Sequence, residues 1–162
     1  MRTYATKTCA PIGAAILAVS AAPAGAQTAI TFEGSVTQSC VLSLSTPGAL
    51  AANADGTEIG SEQTLGVAAV LSVVATAGAP TLTFTAPTLS LQPGAYSGTP
   101  AVSLKYTSTG GANQDYTSAS SSYTSSNALG DVVTLNAKAT DAAGFAAGGY
   151  RIQTTATCEQ GE

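Results

Sequence analysis

The sequence predicts an all-β protein, a single β-sandwich of about six to eight strands, the count expected of compact sandwich domains. Three observations predict it. Apolar and polar residues alternate at period two through most of the segments between Ile30 and Cys158, as they do where one face of a strand is buried. Clusters of Gly, Pro, Asn and Ser separate those segments, and no stretch carries the apolar spacing of an amphipathic helix. Cys40 and Cys158 fall on the apolar faces of the first and last segments, which predicts a disulfide tying the beginning of the domain to its end.

Residues 1–26 read as a signal peptide. Arg2 and Lys7 make a basic start, Ile12 to Ala22 is an Ala-rich apolar run, and Ala24-Gly25-Ala26 offers small residues for cleavage before Gln27. The run is too short to span a bilayer, and nothing after it is long and apolar enough to be a span, so no membrane span is expected in the mature chain. The domain is therefore expected over 27–162, in the periplasm, at the cell surface or outside the cell. Cys9 leaves with the signal peptide, and an even pair of cysteines remains in an oxidising compartment.

In the first segment, Ile30 to Leu44, every even position is apolar or small except Gln38, which predicts a long first strand. Gly34 and Gln38 are its weak points, where a bulge or a change of sheet is expected. Ser45 to Gln63 collects Pro47, Gly48, Asn53, Asp55, Gly56 and Gly60 and reads as turns. Within it, Asn53 to Glu58 lacks the ligand run and closing Glu of a calcium loop and reads as a solvated acidic turn. Thr64 to Thr76 is apolar on both faces, so periodicity alone admits a buried helix, and its four valines favour a central strand covered on both sides. Thr81 to Leu91 alternates up to Pro87, which has no amide to donate and predicts a bend or an edge. Val102, Leu104 and Tyr106 alternate with Ser103, Lys105 and Thr107 in a further strand. Residues 108–130 carry hardly an aliphatic side chain and predict a Ser/Thr/Tyr-rich loop or ragged edge ribbon. Asp131 to Thr140 alternates again, and Gly149 to Cys158 closes the domain.

The charge excludes some partners. Past the signal peptide only Lys105, Lys138 and Arg151 are basic against nine acids, a net of −6. A phosphate backbone is repelled by that balance, so no nucleic acid is expected. Catalysis is not expected either: the chain has no histidine, its serines lack a base, and its carboxylates are scattered over turns and termini. Neither a metal site nor a cofactor is expected, since two lone cysteines without histidine cannot close a structural zinc site. Tyr106, Tyr116 and Tyr123, set among Ser, Thr and Asn, are the candidate ligand-binding residues, because tyrosine gives large contact area at small entropic cost.

From Ile30 to Cys40 the order Ile-x-Phe-x-Gly-x-Val-x-x-x-Cys resembles the first strand of pilin subunits assembled by the chaperone-usher route, including their spore-coat-U-like branch. Val73 to Phe84 is similar to the second strand and hairpin of that group, and Gly148 to Ile152 with Ala156-Thr157-Cys158 resembles closing strands of small bacterial surface proteins. The resemblance implies an immunoglobulin-like sandwich that lacks one strand and receives it from a neighbouring subunit. It implies a fimbrial-subunit-like structural or adhesive role, with a periplasmic chaperone, an usher or other surface subunits as partners. The other reading of these residues is a soluble periplasmic or extracellular module that binds a ligand or glycan.

Overall fold

The computed structural model describes residues 31–35, 38–76, 78–127 and 130–160. The signal peptide expected over residues 1–26 lies outside them. The chain divides at Gly34 into two units. In the first, residues 31–34 are described; they are exposed and belong to no strand or helix. The second unit, residues 35–162, is all-β, with several antiparallel sheets and no closed barrel.

Its first part is a long interrupted hairpin. β1 (Cys40–Thr46) and β2 (Ala51–Ala52) run outward, and β3 (Glu58–Gly60) and β4 (Ala69–Ala75) return beside them. The reversal is an Asx turn: Asn53 Oδ1 accepts from the amides of Thr57 (3.0 Å) and Glu58 (3.1 Å), while Gly56 takes φ 68°, a left-handed conformation open to glycine. The acidic stretch from Asn53 to Glu58 is thus closed on its own backbone.

β10 (Asp131–Thr140) is the spine of the larger sheet. Along one edge its first half pairs with β4 and its last three residues with β3. The other edge takes β7 (Ala101–Ser108), and β7 takes β8 (Asn113–Thr117). The second layer is β12 (Ala156–Gln160), β5 (Pro80–Phe84) and β9 (Ser121–Thr124), in that order. β6 (Thr88–Leu91) and β11 (Arg151–Gln153) extend β5 and β12 beyond a break. At the break, Thr85 and Thr155 stay joined by the Thr85 amide to the Thr155 carbonyl (3.0 Å) and the Thr155 amide to Thr85 Oγ1 (2.9 Å).

The core lies between the layers. Leu71 and Val73 of β4, Leu104 and Tyr106 of β7, and Val133 and Leu135 of β10 face Leu82 and Phe84 of β5, all of them buried. Their alternation along each strand produces this: period two puts every second residue on the inner face. The Phe84 and Tyr106 rings meet at 4.7 Å between centroids, and Tyr123 of β9 packs on Tyr106 at 5.7 Å.

Several segments differ from the sequence expectation, among them Ser45 to Gln63, read as turns, which holds β2 and β3. The first strand begins at Cys40, not Ile30, and residues 31–35, 38 and 39 belong to no strand. β4 ends opposite Cys40 at Ala75; one further pair, the Thr76 amide to the Ser39 carbonyl (3.1 Å), lies past it before the chain turns toward Pro80. The strand expected over Thr64 to Thr76 is shorter and central in order, but Val74 is half exposed, so only its inner face is covered. Within 108–130, expected as a loop or a ragged edge ribbon, the ribbon is what stands: β8 and β9 are edge strands. Edge strands need only one paired side, so polar residues suffice to build them. The final strand breaks into β11 and β12 around Thr154 and Thr155.

Between β3 and β4 the segment from Ser61 to Gly66 loops out of the hairpin. Ser61 anchors it to β10, accepting from the Ala137 amide at 3.1 Å and donating to Asn136 Oδ1 at 2.9 Å. Gly66 closes it so tightly that a Cβ there would lie 2.5 Å from the Ser61 carbonyl oxygen and 2.6 Å from that of Gly60. Both obstacles are backbone, which cannot swing aside. Gly66→Ala is expected to lower stability by about 1–3 kcal/mol, the usual cost of forcing an atom into occupied space. An unchanged urea midpoint would show that the loop is free to open.

Candidate functional site: an apolar groove between two open strand edges

Two strand edges face each other with nothing paired between them. β1 pairs with β4 on one side, and the line of β11 and β12 pairs with β6 and β5 on one side; among the described residues no strand occupies the remaining edge of any of them. At one end the two strands are joined by the disulfide between Cys40 and Cys158, whose Cα atoms lie 6.0 Å apart. This is the bridge the sequence predicts. From there the layers diverge into an apolar groove of about 400 Å³.

One wall of the groove is the end of β1 and the turn after it, with Leu44, Pro47 and Leu50; the other is Ile152 to Ala156. Its floor is the inner face of the larger sheet, including Leu71, Leu104 and Leu135. The groove therefore opens onto the core itself. Leu44 makes the point: it pairs in register with buried Leu71 and points to the same inner side, yet it is 60% exposed. An inward leucine stays that exposed only where the layer that would cover it is missing. Val67, also on the groove, is 45% exposed.

The three tyrosines singled out from the sequence do not share a surface. Tyr106 is in the core, and Tyr123 reaches inward to donate to Asp131 Oδ2 at 2.7 Å. Burial, above all, pushes the Tyr123 hydroxyl well up from its ordinary range, with the Asp131 hydrogen bond adding to it. Tyr116 lies on the outer side of the larger sheet, where its hydroxyl donates to Glu62 Oε2 at 2.7 Å. There Lys138 Nζ sits 4.5 Å and Lys105 Nζ 5.3 Å from its ring centre.

Around Tyr116 the charges are all matched. Lys105 donates to Glu62 at 2.6 Å, Lys138 lies 3.5 Å from Glu58, and Gln63 donates to Glu58 at 2.6 Å. The Lys105 and Tyr116 hydrogen bonds hold the Glu62 carboxyl below its ordinary range, while desolvation and Glu62 raise the Tyr116 hydroxyl. The arrangement straps the loop from Ser61 to Gly66 onto the outer face. On this exposed surface the ion pairs contribute little to stability, in the range of about 0–1 kcal/mol each.

A second aromatic cluster closes one end of the layers. Tyr96 stacks on Phe145 at 5.2 Å and meets Tyr150 edge-on at 5.6 Å, and its hydroxyl donates to Asp141 Oδ2 at 2.5 Å. Desolvation first, and Asp141 second, push the Tyr96 hydroxyl to about 12, while that bond and the Ala143 amide hold Asp141 low. The polar atoms face one another, so the cluster ties two loops together. On the groove, by contrast, the apolar side chains of Leu44 and Val67 lie open. Sequence reasoning missed it because alternation marks Leu44 as inward but cannot say whether anything covers it. Comparison with protein-family models, with curated proteins and with solved structures finds no match for this chain.

Proposed function

We propose that the protein is a non-catalytic, exported structural or adhesive subunit of the fimbrial type, an immunoglobulin-like sandwich short of one strand, and that its groove accepts an extended segment from a second copy. The observation that carries this reading is the pair of unpaired edges flanking an apolar groove on which the inward-facing Leu44 is left exposed. An incoming strand would hydrogen-bond to both edges and bury alternate side chains on Leu71, Leu104 and Leu135, which is recognition by strand addition. The chain carries a suitable segment. Ile30, Phe32 and Gly34 alternate with Thr31 and Glu33 ahead of the first strand, and Phe32 is exposed. The disulfide is consistent with an oxidising compartment, and a periplasmic chaperone that shields the open edges before assembly fits the same surface.

Leu44→Asp tests the reading. Because Leu44 is exposed in the single chain, the variant is expected to fold with a stability close to that of the parent. It is also expected to abolish both the binding of a synthetic peptide spanning Gln27 to Ser39 and the formation of SDS-resistant, heat-dissociable oligomers. A parent protein that stays strictly monomeric and ignores the peptide would end this reading. So would a Leu44→Asp variant that binds as well as the parent.

A further inference from the structure

We infer that the disulfide is a stop: it closes one end of the groove, so that an incoming strand pairs with about five residues of each edge and goes no further. The inference rests on the strand-accepting reading above and adds what that segment must look like. Neighbouring strands lie about 4.7–4.9 Å apart, so a strand seated between two others needs flanking Cα atoms about 9.5 Å apart. At Cys40 and Cys158 the separation is 6.0 Å. No backbone passes there. Because the bridge is covalent, the edges cannot part to admit one.

The rest of the groove sets the remaining dimensions. Its second wall runs from Ile152 to Ala156, and five extended residues span about 16 Å at the usual rise. Over that length two or three side chains point inward, and about 400 Å³ of apolar space receives them. Ile30 and Phe32, followed by the small Gly34 where the layers converge, match that profile: two bulky residues for the open part and none for the narrow end. The bridge also fixes register, since a strand that runs into an immovable end cannot slide past it. A groove open at both ends would lack that definition, because apolar contacts repeat every two residues.

Hydrogen exchange on the unaltered, oxidised protein with the peptide Gln27 to Ser39 tests the stop. Protection is expected to be gained over residues 44–48 and 152–156, with none gained at 40–42 or 157–160. In a nested series of peptides shortened from either end, affinity is expected to level off once about five residues pair. In the variant Cys40→Ser with Cys158→Ser, the longer peptides are expected to gain about tenfold over the shorter ones, because the closed end is released. Protection running through 157–160 in the oxidised protein would overturn the stop and leave strand acceptance standing. So would affinity that rises over the whole peptide. Absence of protection anywhere along the groove would overturn both. If the variant does not fold, exchange on the unaltered protein decides alone.

Discussion

Removal of the bridge, as Cys40→Ser with Cys158→Ser or by a reductant, is expected to lower the folding free energy by about 4–5 kcal/mol, the chain-entropy value for so long a loop. The two cysteines are 118 residues apart, so the link restrains nearly the whole unfolded domain. In the folded state it has no substitute at that edge: β1 is held by β4 and β12 by β5, with no backbone ladder between β1 and β12. Cys40 and Cys158 also pack against the buried cluster of Leu71, Val73, Leu82 and Phe84, so serine places hydroxyls against apolar surface. Urea unfolding with and without reductant measures the effect. Coincident midpoints would show that contact between the layers closes this edge unaided.

Much of this architecture is legible in the sequence because each strand states its face. The strand expected over Asp131 to Thr140 is β10 with the same ends, and its inward Val133 and Leu135 are core residues. The bridge follows from parity, as both cysteines share the phase of their apolar neighbours. Illegible was anything that depends on a partner. Ile30 to Val36 alternates at period two, yet it is no strand over its described residues, since a ladder needs a second chain segment alongside. Composition groups Tyr106, Tyr116 and Tyr123, whereas the register of β7 and β8 sends Tyr106 to one face and Tyr116 to the other. The aliphatic-poor stretch around them left loop and edge ribbon both open, because its apolar content was too low to announce a face, and it holds the edge strands β8 and β9. The groove itself is a missing neighbour, and a pattern within one strand carries no record of what lies beside it.

The other large effect is expected at Asp131, the first residue of β10, which is 1% exposed. Its Oδ1 accepts from Thr109 Oγ1 at 2.9 Å and the Gly110 amide at 2.7 Å, and its Oδ2 from the Tyr123 hydroxyl at 2.7 Å. These bonds join the turn between β7 and β8, the strand β9 and the start of β10, so one carboxylate fastens both layers at their edges. Asp131→Ala removes the shared acceptor and leaves buried donors without partners, at a cost of about 3 kcal/mol or more. Burial by itself would raise the Asp131 pKa; the hydrogen bonds from Tyr123, Ser125, Thr109 and Gly110 outweigh it and hold the carboxyl below its ordinary range. A carboxyl whose pKa is lower folded than unfolded contributes in full above its unfolded value, near about 3.9, and loses that contribution as pH falls through the depressed folded value. The stability gap between the parent and Asp131→Asn should therefore be widest above about pH 5 and shrink steadily on acidification, since the amide does not titrate. Urea midpoints for both proteins across that range decide it. A gap that holds constant down to the acid limit would mean that Asp131 acts through shape alone, with its charge contributing nothing to the fastening.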